Sequence, residues 1–318
     1  MSDSAALFVQ LIEVGAAQQV LKYLFISFLT LAIADTLHCL PLEVSLIWSA
    51  KWNMGKVLFL LSRYLVFFDV IVSLSYNFAP NLSVVQCERL FAAGSSLTVV
   101  GVTVAEAILF LRVYALGGRG RIWGASLGAL YLAIHSAVFA ALIKFIISIE
   151  CAYHSSNVDA PSPLPSLFAC LPVKGENKML SIVFILILIS ELVILGLTFW
   201  LCLTDHKESK SPLVATFSRD GLFYFLLLSA VSCGNIICNL AAPTAYIYLL
   251  TIPQRVLHSV LSTRMVLHIR SVGGGVYDAS GEIPLTTFDR SRSEPIRFAV
   301  KVQKEEITDW GKSQATAY

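Results

Sequence analysis

Apolar residues in this chain come in long, nearly unbroken runs, neither alternating with polar ones nor confined to one helical stripe. Crossing about 30 Å of hydrocarbon takes roughly 20 helical residues, and seven runs reach or approach that length. They extend from Val20 to Leu40, Lys56 to Phe78, Leu90 to Tyr114, Ile122 to Ile149, Met179 to Leu203, Leu222 to Leu240 and Thr244 to Leu261. The seventh is interrupted by Pro253, Arg255 and His258. A membrane helix accommodates proline when neighbouring groups satisfy the freed carbonyl, so a kinked span is expected there. The pattern predicts an all-α, polytopic membrane protein. Residues 1–17 form a short extracellular N-terminus, 18–262 a seven-transmembrane-helix bundle, 263–270 a juxtamembrane amphipathic segment and 271–318 a disordered cytosolic tail.

Two short stretches near the end keep alternative readings. Ser262 to Arg270 alternates basic residues with Met265, Val266, Leu267 and Ile269, which suits a helix lying in the headgroup layer or a plain continuation of the seventh helix. In the tail, Ile296, Phe298, Val300 and Val302 alternate with polar or small residues, either as an edge strand for a partner or incidentally.

Composition agrees with the hydropathy pattern. The chain is 56% hydrophobic and only 14% charged, with a mean hydropathy of +0.73, whereas soluble domains carry about 25% charged residues. A net charge of +2, with no basic run interleaved with aromatics, argues against a nucleic-acid partner. Met1 to Ala17 contains Asp3 and Glu13, no Lys or Arg and no convincing cleavage site, so the first span is expected to serve as an uncleaved targeting signal.

Lys and Arg near the span ends set the orientation. With the N-terminus outside, the inner side carries Lys51, Lys56, Arg112, Arg119, Arg121, Lys207, Lys210, Arg219, Arg264 and Arg270. The outer side carries only Lys22, Arg89, Lys174 and Lys178. A cytosolic C-terminus follows, with the plasma membrane expected over internal membranes. Asn81-Leu82-Ser83 is then an N-glycosylation sequon in an outer loop.

The segment from Ala34 to Leu65 carries an acidic residue in the first helix (Asp35), an E-x-x-x-x-W turn (Glu43 to Trp48) and a K-x-L-F-x-x-x-R-Y second helix (Lys56 to Tyr64). With LRVYAL at Leu111 to Leu116, RDG-x-x-Y at Arg219 to Tyr224 and S-x-RMVLHIR at Ser262 to Arg270, it resembles a large group of basidiomycete fungal multi-pass membrane proteins. The N-terminal domain of that group is catalogued only as of unknown function. The resemblance implies an architecture and a fungal origin, with no activity, substrate or cofactor. Where the group shows an Asp-Tyr-like pair, this chain has Asp35-Thr36.

Ionisable groups inside spans face partners or a watery cavity, since each costs about 2.5 to 3.5 kcal/mol in lipid on insertion scales. Asp35 lies near the inner end of the first span, and Arg63 about 10 Å into the second at 1.5 Å per residue. Their depths match, so a polar cluster of Asp35, Arg63, Glu106 and Arg255 is expected, either as an ion pair fixing helix packing or as a switch or relay. Asp69, Glu191 and Asn235 sit nearer mid-span and form a candidate ligand or ion site. The alternative for these is a protonated carboxyl bonded to a neighbouring helix. His135 is expected to pack as a neutral ring, and Lys144 to snorkel.

Cys87, Cys151 and Cys170 all fall outside on this topology, in an oxidising compartment. The layout is similar to that of seven-helix receptors, which bridge the third helix to this loop. That likeness puts Cys87 with Cys170 first and Cys87 with Cys151 second. Cys39, Cys202, Cys233 and Cys238 are expected reduced, Cys202 being a possible acylation site.

Enzyme signals are weak. Gly124 to Gly128 matches G-x-S-x-G, but a nucleophile elbow needs a strand-to-helix turn, and the same residues read as a G-x-x-x-G contact face. No H-E-x-x-H, paired-cysteine or Walker spacing occurs, and the seventh span has no Lys for a retinal Schiff base. No catalytic residue, metal or cofactor is therefore expected. The expected function is a receptor-like seven-helix sensor, with a small transporter or channel using mid-membrane carboxylates as the alternative. The expected partners are the lipid bilayer, an unidentified ligand and a cytosolic partner of the inner loops and tail.

Overall fold

The computed structural model describes residues 2–78, 83–118, 120–152, 171–174, 177–205, 212–242 and 246–274. Among them the chain forms seven α-helices: α1 (Ser2–Glu43), α2 (Met54–Phe78), α3 (Val84–Leu116), α4 (Arg121–Ile147), α5 (Asn177–Asp205), α6 (Pro212–Ala241) and α7 (Thr251–Gly274). A π-helical stretch, Val44–Trp48, leaves α1, and a small antiparallel hairpin of β1 (Glu150–Ala152) and β2 (Leu171–Lys174) follows α4. Six helices are long and apolar enough to cross a membrane, which makes the protein an integral multi-pass membrane protein set in a lipid bilayer.

Local sequence accounts for several boundaries. α1 starts at Ser2, well before Val20, because Ala, Leu, Gln and Glu fill the intervening segment with no proline. α2 begins after Asn53, whose Oδ1 accepts the Lys56 backbone N–H at 2.8 Å. α3 begins after Ser83, which forms a reciprocal capping box with Gln86. That box starts α3 six residues ahead of the Leu90 boundary expected from hydropathy.

α7 departs from expectation at both ends. A seventh span was expected over Thr244 to Leu261, whereas the helix runs unbroken from Thr251 to Gly274. Ser262 to Arg270 therefore continues helix 7, the second of its two readings, and the tail expected from residue 271 begins in helix. α7 is absent from the six apolar candidates because it buries Gln254, Arg255, His258, Ser259, Ser262 and Thr263. It can afford these groups because it packs against α1, α2, α3 and α6 instead of standing in lipid.

Among the described residues four apolar clusters hold the bundle, two small ones joining α1, α2 and α7 and two larger ones. One, toward the β-hairpin, joins Val99, Val138, Leu142, Phe145, Val183 and Phe184 of α3, α4 and α5. The other, toward the α1–α2 turn, joins Leu109, Val113, Leu127, Ile194, Phe225 and Met265 of α3 to α7. Large apolar residues such as Leu37, Phe68, Ile71, Leu132 and Ile237 stand exposed on the outer faces, where lipid is the matching solvent. The Gly124 to Gly128 face is used at one end only: a Cβ on Gly124 would lie 2.8 Å from the Tyr114 ring, and Gly128 has nothing within 4 Å.

Candidate functional site

At the α1–α2 turn, residues of four segments converge on buried charges. Glu43 and Trp48 are five apart, the stacking interval of a π-helix, and Trp48 Nε1 donates to Glu43 Oε1 at 3.0 Å. Tyr64 OH donates to the same oxygen at 2.7 Å, and Arg63 Nε pairs with Glu43 Oε2 at 2.8 Å. Arg63 Nη1 also reaches Asp35 Oδ2 at 3.4 Å and Thr263 Oγ1 at 3.3 Å, while Nη2 donates to the carbonyls of Asp35 and Thr36. From α7, Arg264 Nε donates to Asp35 Oδ1. Two carboxylates thus face two guanidinium groups, and the node closes without net charge. The Thr36 hydroxyl donates back to Ala32 O at 2.7 Å.

Basic side chains also close the end of this turn. Lys56 Nζ donates to the carbonyls of Trp48 and Ala50 at 2.9 and 2.8 Å, and Arg270 Nη1 donates to Leu46 O at 2.9 Å. Cations at the carbonyl end of a helix meet both its orphan acceptors and its dipole.

Deeper in the bundle, Arg255 Nε pairs with Asp69 Oδ2 at 2.6 Å, both buried. The guanidinium lies against the α3 backbone at Gly101, where a Cβ would sit 2.1 Å from Nε. The expected cluster of Asp35, Arg63, Glu106 and Arg255 is therefore divided. Asp35 and Arg63 meet, whereas Arg255 serves Asp69 and Glu106 belongs elsewhere.

Glu106 accepts from Ser190 and lies 3.3 Å from His135 Nε2; the opposite ring nitrogen, Nδ1, is 2.9 Å from Tyr131 O. His135 is thus tied to a carboxylate, beyond the packing role expected of it. Glu191 Oε1 accepts from Ser232 at 2.8 Å and lies 3.0 Å from His258 Nε2. Ser232 in turn accepts from Gln254 Nε2 at 2.8 Å, and Gln254 Oε1 accepts from Asn235 Nδ2 at 2.5 Å. Glu191 and Asn235, two members of the expected ligand site, are thus linked through Ser232 and Gln254. Asp69, the third, stands apart with Arg255.

Gln254 also borders a cleft toward the hairpin end. Its walls are largely apolar (Val99, Val102, Leu180, Val183, Ile187), with Ser95, Thr98 and Thr251 as polar points, and its cavity volume is about 40 Å³, open in part to the surroundings.

Cys87 is disulfide-bonded, whereas Cys39, Cys233 and Cys238 are free thiols. No pair is defined among the described residues. Cys170 and the sequon residue Asn81 lie outside them, and Cys151 is described by its place in β1 alone.

Sequence reasoning passed over Glu43, His258 and Arg264 as charge partners, and Ser232 and Gln254 altogether. One signal was available. In α7 the polar residues recur at 254, 255, 258, 259, 262 and 263, one helical face inverted relative to a soluble helix.

Residues 23–68 match a family of unknown function, DUF6533. The match takes in Asp35, Glu43, Trp48, Lys56, Arg63 and Tyr64, every α1 and α2 side chain of the charged node described above. No curated protein matches the chain.

Proposed function

We propose that the protein is a receptor-like seven-helix sensor of an apolar, membrane-borne ligand, with α7 as the moving element. The observation that carries this reading is the position of Gln254. It borders the apolar cleft and is bonded to Ser232 and Asn235, so an occupant of the cleft acts directly on α7 and α6. One helical rod then runs from the cleft to Thr263 and Arg264, which hold the Asp35–Arg63 node at the other end. The N-terminus outside and C-terminus in the cytosol follow from the distribution of Lys and Arg, and the Cys87 disulfide supports an oxidising compartment at the hairpin end. Cys170, with Cys151 behind it, is its proposed partner. Asn81 is the proposed glycan site, a fungal plasma membrane the proposed setting, and the inner loops and tail the surface for a cytosolic partner. The reading includes no enzymatic activity.

The alternative is a small transporter or channel, resting on the mid-membrane carboxylates. Against it, Asp69 is engaged by Arg255 and Glu191 by Ser232 and His258. Proteoliposomes test both readings. A dansyl-labelled long-chain alcohol should bind wild type saturably, fail to bind Val183→Trp, and change the distance between spin labels at the exposed positions Met54 and His268. Binding without that change, or a proton or cation flux abolished by Asp69→Asn, overturns the sensor reading.

A further inference from the structure

The buried carboxylates fall into three groups, and one is unlike the others. Asp35 and Glu43 face Arg63 and Arg264, and Asp69 faces Arg255, so each of those carboxylates has a guanidinium. Glu106 and Glu191, both fully buried, are bonded instead to hydroxyls and imidazoles: Ser190 and His135 for the first, Ser232 and His258 for the second. Two carboxylates side by side in a dry interior are costly unless a cation or protons neutralise them.

We infer that Glu106, Glu191 and His258 bind one divalent first-row transition-metal ion, of the Zn2+ class, inside the bundle. One donor atom from each of the three lies within 4.8 Å of the other two. Donors about 2.1 Å from a tetrahedral ion are about 3.4 Å apart, so closure takes small side-chain adjustments on rigid helices. Each residue also keeps a buried atom without a hydrogen-bond partner: Glu106 Oε1, Glu191 Oε2 and His258 Nδ1. Such atoms are costly as they stand, and the first two are ready lone pairs. Mixed carboxylate and imidazole donors suit Zn2+ and its neighbours over Mg2+ or Ca2+. One dication balances two carboxylates, leaving the site as neutral as the other two groups. Ser190, Ser232 and His135 already hold the carboxylates in place, the orienting role that outer partners play at metal centres. The ion would tie α3, α5 and α7 together. The inference stands apart from the sensor reading, since it needs neither the cleft nor any motion of α7.

The test uses the full chain, produced with Zn2+ in the medium, purified in detergent and analysed by elemental mass spectrometry after extensive dialysis. About one equivalent of Zn2+ per chain is expected, with a melting temperature that falls on chelation and recovers on adding Zn2+. Glu106→Gln, Glu191→Gln and His258→Gln should each lower the affinity for added Zn2+ at least about tenfold, and His135→Gln by a similar factor through Glu106. Asp69→Asn, which removes a buried carboxylate outside the site, should keep the full equivalent. Zn2+ below about a tenth of an equivalent in wild type, with no Zn2+-dependent change in melting, overturns the inference. Retention undiminished in Glu191→Gln and His258→Gln, both of wild-type helicity, overturns it as well. Should a glutamate variant fail to fold, His258→Gln and His135→Gln still decide the matter.

Discussion

Replacing Gly101 by alanine puts a methyl group inside the guanidinium of Arg255. The added Cβ would lie 2.1 Å from Nε and 2.2 Å from Cζ, whereas ordinary contact starts near 3.4 Å. The guanidinium must therefore withdraw by about 1.3 Å. It cannot do so without loss, because Nε is bonded to Asp69 at 2.6 Å. Stretching that 2.6 Å separation to about 3.9 Å costs about 2 kcal/mol at an effective dielectric of about 20. The lost hydrogen bond adds about 1 kcal/mol or more, for a total of about 3 kcal/mol. That sum is in keeping with the 3 to 5 kcal/mol typical of breaking a buried pair. Equilibrium unfolding in mixed micelles measures it. In an Asp69→Asn/Arg255→Met background the same glycine substitution should cost below about 1 kcal/mol, because neighbours that share a partner are not additive. An equal cost in both backgrounds would refute the reasoning, showing that the methyl group is opposed by the helix backbone and not by the ion pair.

Other expectations follow from the charged node. Glu43→Gln keeps the shape and loses the charge facing Arg63, and should cost about 3 kcal/mol in the same unfolding measurement, against about 1 kcal/mol for Tyr64→Phe. Exchanging Asp35 and Arg63 should fail to restore stability or surface expression, because the carboxylate moved onto α2 would meet Glu43 and the guanidinium moved onto α1 would meet Arg264; full rescue by the double mutant would contradict the geometry. Lys56→Met should expose the Trp48 and Ala50 carbonyls and speed limited proteolysis across residues 49–53 several-fold, leaving cleavage elsewhere unchanged.

Hydropathy is informative about depth and silent about azimuth, and the fate of each expected contact reflects that division. The number of helices and most of their positions were legible, because lipid penalises every unpaired polar group and so imposes length and apolarity on a span. Asp35 and Arg63 were legible as partners because α1 and α2 are joined by a short turn, leaving little freedom in their register. Glu106 lies at a comparable depth, but on α3 it faces Ser190 of α5 and His135 of α4. Nothing in a linear pattern says which way that carboxyl points. Arg255 was misplaced for a different reason. An apolar window puts the seventh span at Thr244 to Leu261, and the helix observed at Thr251–Gly274 carries Arg255 near its start, away from the α1–α2 turn. A helix surrounded by protein escapes the hydropathy rule that finds its neighbours, so α7 and its ligating and bridging residues were the least legible part of the chain.

The inward polarity of α7 bears on how the protein is made. A segment holding Gln254, Arg255, His258 and Arg264 gains little from hydrocarbon by itself, and transfer from the translocon into lipid is unfavourable for such residues. Its insertion must draw on partners already in place: Asp69 for Arg255, Glu191 for His258 and Asp35 for Arg264. α7 is therefore received by helices already in place, and a nascent chain halted before residue 251 would hold Asp69 and Glu191 in the membrane awaiting their bases, while Asp35 already has Arg63.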